Sequence, residues 1–253
     1  MTKRLKGKRV IVIGSATGIG AATVQRLVEE GAHVCAADIN LEGAERLAGQ
    51  VGGDSFAVPV DIADEASVGI AVARAVEELG GLDGVHINAA DLRVIFQDSN
   101  ALDVDLAVFD RTIAVNLRGH LLCTRAVLPH LLASQAGAIV YTSSGSARGG
   151  EPERPCYAMS KGGLEALMRH VASRWGREGI TANVVAPGFT MTQEMQAGGQ
   201  VPQAVIDHFL NSGRSFRLGR SEDQAAVAAM LLSDDGRWIN GQVINVNGGA
   251  MFS

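Results

Sequence analysis

The chain has 253 residues, 47% of them hydrophobic and 19% charged, which fits one well-buried α/β domain and excludes a disordered chain. Its net charge of −5 gives no broad positive field for a phosphate backbone, so nucleic acid is excluded as a partner. No run approaches the roughly 18 apolar residues of a membrane span. The three cysteines, Cys35, Cys123 and Cys156, form no metal or redox spacing, and this predicts a cytoplasmic protein with no metal site.

The start carries Lys3, Arg4, Lys6, Lys8 and Arg9 and reads as a solvated terminus leading into the first strand. Short β-branched runs then predict strands at 9–13, 33–37, 55–60, 84–88, 138–142, 181–186 and 243–246. Amphipathic stretches between them predict helices at 21–30, 41–50, 65–79, 106–134, 156–177 and 223–233. Strand interiors such as Val10-Ile11-Val12-Ile13 are apolar on both faces, as a parallel sheet covered by helices on both sides requires. Strand and helix alternate to the end, so the chain predicts a single α/β domain over 1–253, a doubly wound sheet of about seven parallel strands. Ligands of such sheets bind at the carboxyl ends of the strands.

The first of those ends carries Gly14-Ser15-Ala16-Thr17-Gly18-Ile19-Gly20, opening the first helix. Glycines there permit a tight turn and close approach to a pyrophosphate, which the free N–H groups of the helix N-terminus favour. Asp38 ends the second strand, followed by Ile39. A carboxylate there accepts hydrogen bonds from an adenosine ribose and repels a 2′-phosphate, so the cofactor reads as NAD. Asp38 also suits a cap for the helix at 41–50. Asp61 and Ile62 close the third strand, where they hold an adenine or simply shape a turn. Asn88-Ala89-Ala90 ends the fourth, its small residues leaving room for a dinucleotide.

Tyr157 and Lys161 share one face of the helix at 156–177. A phenol near pKa ~10 is a poor base at neutral pH, and a neighbouring ammonium favours its ionised form. Ser144 follows the strand at 138–142 and offers a hydroxyl to a substrate oxygen, while Ser143 reads as structural. Asn116 falls inside the predicted helix at 106–134, where Asn is a poor helix former. It either holds a water linking Lys161 to solvent or makes an interhelical bond. Pro187-Gly188-Phe189-Thr190-Met191-Thr192 follows the sixth strand, with Thr192 or Thr190 in reach of a nicotinamide. His86 and His120 have no visible partner and read as packing residues.

These motifs resemble the short-chain dehydrogenase/reductase family, in its branch of about 250 residues, from Gly7 to Gly249. The family's glycine motif is similar to Ile13–Gly20, its Asn-Asn-Ala-Gly motif to residues 87–90, and its last strand and turn to residues 240–249. The resemblance implies a Rossmann-type fold, catalytic roles for Asn116, Ser144, Tyr157 and Lys161, and hydride transfer on the pro-S face of the nicotinamide. It also implies NAD contacts along Gly14, Ser15, Thr17, Gly18, Ile19, Gly20, Asp38, Ile39, Asp61, Ile62, Asn88, Ala89, Ala90, Tyr157, Lys161, Pro187, Gly188, Phe189, Thr190 and Thr192. It implies a secondary alcohol or ketone as substrate, and a homotetramer or dimer. Ile13, Ile87 and Ala90 depart from the pattern, and the first two remove polar groups that usually tie strands one and four. A non-catalytic NAD-binding protein, a dehydratase and a double-bond reductase are the competing readings on this fold.

Two segments are expected to shape the substrate pocket. Residues 145–155 contain Arg148, Glu151, Glu153 and Arg154, which read as mostly solvated. Residues 190–217 form a lid with Gly198 and Gly199 as hinges, its Met and Phe side chains facing an apolar substrate or packing the lid down.

Overall fold

The structure is a computed structural model that describes residues 3–198 and 201–252. The expected hinge residue Gly199 lies outside those residues. Seven strands form one parallel sheet: β1 (Arg9–Ile13), β2 (His33–Asp38), β3 (Phe56–Pro59), β4 (Gly84–Ile87), β5 (Ala138–Thr142), β6 (Thr181–Pro187) and, at the far edge, a strand at Val243–Val246. β7 (Thr190–Met191) and β8 (Gly219–Arg220) form a separate parallel pair, so the edge strand at Val243–Val246 is β9 and the sheet order is β3-β2-β1-β4-β5-β6-β9. The order reverses between β1 and β4, which opens a crevice at their carboxyl ends.

The two-faced apolar strands explain the layers. In β1, Ile11 and Ile13 enter one core with α3 (Glu65–Leu79), α5 (His120–Ser134) and α6 (Pro155–Trp175). Val10 and Val12 enter the other, against α1 (Gly18–Glu29), α2 (Leu41–Val51) and α9 (Ser221–Leu232). All four side chains are buried, each contributing about 1.5–3 kcal/mol of transfer free energy. The segment at 190–217, expected to form a lid, holds α7 (Gln193–Gly198) and α8 (Gln203–Ser212) and is clamped at its base by the β7–β8 pair.

Several expectations need correction. The helix at 106–134 runs over those bounds but is not α-helical throughout: α4 (Leu106–Ile113) passes through a π-helical turn at Ala114–Gly119 into α5. The basic start is only partly solvated: Lys3 and Lys6 are exposed, but Leu5 is fully buried and ion pairs Arg4–Glu30, Lys8–Asp234 and Arg9–Asp83 fasten the segment to the domain. The cap of α2 is Asn40, which accepts from Gly43 N, rather than Asp38. Among the described residues, no helix is long and apolar enough to cross a membrane.

Candidate active site

The turn after β1 is shaped by backbone constraints. Gly14 has φ +85°, and a Cβ there would lie 2.5 Å from the Ala89 backbone. A Cβ on Gly20 would overlap the Gly14 carbonyl oxygen. The turn therefore fits against β4 only with glycine at both places. The N–H of Gly18, at the start of α1, faces the carboxylate of Glu194 at 3.3 Å, so an anion already sits where helix geometry favours one. The Ser15 hydroxyl is buried and donates to the Ala37 carbonyl. Asp38 accepts from Ala16 N and Asn40 N, both at 2.8 Å, and so holds the turn from the end of β2. Asp61 accepts from Ala63 N, a local turn bond, and Ile62 packs beside Gly119. Ile39 is exposed at the rim.

The polar ties missing at Ile13 and Ile87 are replaced. These two side chains are partners in register and fully buried. The Ile13 carbonyl accepts from both Asn88 N and Ala89 N, and Asn88 Nδ2 donates to the Gly14 carbonyl at 2.9 Å. Thr142 Oγ1 donates to Asn88 Oδ1 at 3.0 Å and lies 2.8 Å from His86 Nε2. With the hydroxyl proton committed to Asn88, His86 must be the donor, a neutral imidazole with its proton on Nε2. Burial alone lowers its pKa to about 3. His86 therefore has a partner, contrary to its reading as mere packing. His120 is also fully buried and lowered to about 3, chiefly by burial, with the nearby charge of Lys161 adding to the effect.

The helix α6 brings Tyr157 and Lys161 beside the end of β5. Lys161 is buried, donates to the Thr142 carbonyl at 2.8 Å, and is lowered to about 8 by burial. Its ammonium lies 5.7 Å from the centre of the Tyr157 ring. The Tyr157 phenol is held above its ordinary pKa, burial being the main cause, while contact with the Ser144 hydroxyl and the Arg154 charge act the other way. The expected lowering by Lys161 does not offset that burial. Asn116 lies in the π-helical turn, accepts from Asp91 N at 2.9 Å, and leaves its buried Nδ2 without a partner. A π turn departs from the i→i+4 ladder, which explains an Asn at a position that looked helical.

The flanking segments are largely satisfied internally. Arg148 donates to the buried Glu165, which also accepts from Ser143. Glu151 accepts from Ser146 and Arg154. The Phe189 ring stacks on Phe209 of α8 at 4.2 Å, which packs the segment at 190–217 onto the domain. Thr190 donates to the Gly188 carbonyl, whereas Thr192 lies against Gly18. Two buried carboxylates have partners that no motif announced. Asp91 is buried between Arg93 and Arg111, which hold its carboxyl well below the usual range. Asp98 is buried against the start of α6. Their partners are too distant in sequence, or too irregular in spacing, to leave a motif.

The family model described as enoyl-(acyl carrier protein) reductase matches residues 14–251. The chain is 36% identical to a probable short-chain type dehydrogenase/reductase of Bradyrhizobium diazoefficiens, over 98% of this chain and 89% of that one. It is 33% identical to a D-threitol dehydrogenase of Mycolicibacterium smegmatis, over 97% and 94%. The crystal structure of a levodione reductase superposes with a TM-score of 0.90 at 30% identity, covering 96% of this chain and 97% of that one. With a seven-stranded parallel sheet, a glycine turn after its first strand, and Tyr157 and Lys161 beside the end of β5, the chain belongs to the short-chain dehydrogenase/reductase family, whose members are oxidoreductases using a nicotinamide cofactor.

Proposed function

We propose that the protein interconverts a secondary alcohol and a ketone using NAD, as a single catalytic domain spanning 1–253. The observation that carries this reading is the buried Lys161 ammonium, anchored on Thr142 beside the Tyr157 phenol and the Ser144 hydroxyl. The Gly14–Gly20 turn would hold the pyrophosphate, Asp38 the adenosine ribose, Asp61 and Ile62 the adenine, Lys161 the nicotinamide ribose, and Thr192 the carboxamide. Lys161 spends one of its three protons on Thr142, which leaves donors for a ribose. Asp38 keeps lone pairs beyond its two backbone bonds, and its charge disfavours a 2′-phosphate. When bound, NAD would supply the acceptor for the hydride of the alcohol carbon.

Ser144 and Tyr157 bind the alcohol oxygen, and Tyr157, reacting as its phenolate, takes the alcohol proton and becomes the neutral phenol. That proton passes by way of Lys161 towards the π turn, where Asn116 Nδ2 is free to hold a water. The named substrates of the relatives, D-threitol and levodione, favour a small polar alcohol or cyclic ketone. We assign the protein to the cytoplasm and to a homotetramer, with Trp238, 99% exposed, on a surface suited to another subunit.

The test is Tyr157→Phe. Turnover should be abolished, with NADH binding by fluorescence held within about twofold, since the phenol oxygen contributes mainly to the reacting state. Near-normal turnover rejects the reading. The matching family model is described by a double-bond reductase, so C=C reduction is the second reading. Two hydroxyls converging on one oxygen favour the carbonyl, and product analysis with NAD and NADP in parallel separates the two.

A further inference from the structure

The first turn of α6 carries Tyr157, and the free N–H groups of a helix start need acceptors. Position N1 is Pro155, which has no N–H. The residue before it, Arg154, adopts a left-handed conformation with φ +60° and makes no side-chain cap. A guanidinium has no acceptor and cannot cap. The next two N–H groups go instead to a residue far upstream. Cys156 N donates to Asp98 Oδ1 at 3.3 Å, and Tyr157 N donates to Asp98 Oδ2 at 2.8 Å. Only at Ala158 does the helix supply its own acceptor, the Arg154 carbonyl at 3.1 Å.

Asp98 is 4% exposed, and no described basic side chain forms an ion pair with it. Its charge is met by the helix N-terminus, where a buried anion is best stabilised. The neighbouring Ser99 carbonyl accepts from Arg154 N at 2.7 Å, so the loop grips α6 at two successive residues.

We propose that Asp98 is the positioning residue for Tyr157. This rests on the reading of Tyr157 as the proton-transfer group. Lys161 has its own anchor at Thr142, one turn further along α6. Losing Asp98 therefore frees Tyr157 while Lys161 stays fixed, and the two drift out of register. Displacement of a reacting group by about 1 Å costs on the order of 100-fold in rate. Cofactor binding, which draws on Lys161, Asp38 and the glycine turn, does not depend on that register.

The experiment compares Asp98→Ala, Asp98→Asn and Tyr157→Phe with the wild type, reading kcat, KM and the NADH dissociation constant on the full chain. Asp98→Ala should lower kcat about 10- to 100-fold, with NADH affinity within about twofold of wild type. Asp98→Asn keeps one oxygen acceptor and loses the other, and should sit between, about three- to tenfold below wild type. A kcat for Asp98→Ala within about twofold of wild type overturns the proposal. So does a parallel loss of kcat and NADH affinity, which marks general loosening. If Asp98→Ala does not fold, Asp98→Asn decides: the intermediate loss supports the proposal and wild-type kcat overturns it. Retained turnover in Tyr157→Phe would sink the reading of Tyr157 instead, which separates the two failures.

Discussion

Lys161 donates to the main-chain oxygen of Thr142, so a buried ammonium is held by a strand carbonyl and not by a carboxylate. Burial lowers its pKa from an ordinary value near 10.5 to about 8. Below pH ~8 both the folded and unfolded chains carry the proton, and the desolvation penalty is present in full. Between pH ~8 and ~10.5 the unfolded chain binds more protons, so this group makes the fold more stable as pH rises. Urea unfolding of wild type and Lys161→Met at about pH 7.5 and about pH 10 reads this out. The wild type should gain on the variant at the higher pH, by on the order of 2–3 kcal/mol. An unchanged difference would mean that the ammonium is hydrated in solution.

The side chain of Thr142 serves the other end of the site. Its hydroxyl joins His86 to Asn88, and Asn88 holds the Gly14 carbonyl. Thr142→Val leaves two buried polar atoms unpaired and should cost about 2–4 kcal/mol. His86→Val spares the Thr142–Asn88 bond. In the double variant the imidazole donor is gone, so the combined loss should fall short of the sum by about 1–2 kcal/mol. Additive losses in denaturant unfolding would break the proposed chain of bonds.

The contrast between β1 and this network explains what was legible beforehand. Val10 to Ile13 read as a strand because every side chain is apolar, and that pattern is local. Tyr157 and Lys161 were legible because they are four residues apart on one helix. The Thr142–His86 bond spans 56 residues and the Asp98–Tyr157 bond 59, so no spacing rule announces either. The π turn at Asn116 escaped for another reason. Its residues fit a helical apolar pattern, and only the hydrogen-bond ladder distinguishes the two geometries. Asn116 itself was the one sign, a poor helix former placed in mid-helix.

Asp38 holds Ala16 N and Asn40 N from the end of β2, so it shapes the glycine turn in addition to the ribose contact proposed for it. Asp38→Ala should weaken NAD binding about tenfold or more, since charged acceptors contribute about 1.5–3 kcal/mol each. NADP binding should weaken less, because the lost carboxylate no longer repels the 2′-phosphate. Dissociation constants for NADH and NADPH measured by fluorescence check this. An equal loss for both would assign Asp38 to the turn alone.

Glu194 of the lid places its carboxylate 3.3 Å from Gly18 N, at the positive end of α1. A pyrophosphate needs that same end, so the two anions compete for one field. Glu194→Gln removes the charge while keeping length and shape. It should tighten NADH binding about two- to fivefold at low salt, the scale of an exposed charge at a helix terminus. Salt screens such a contact, so the gain should shrink as ionic strength rises past about 0.15 M. Cofactor titrations of both proteins across a salt series measure it. Unchanged or weaker binding at low salt would show that Glu194 leaves Gly18 free, with its segment held by the Phe189–Phe209 stack and the β7–β8 pair.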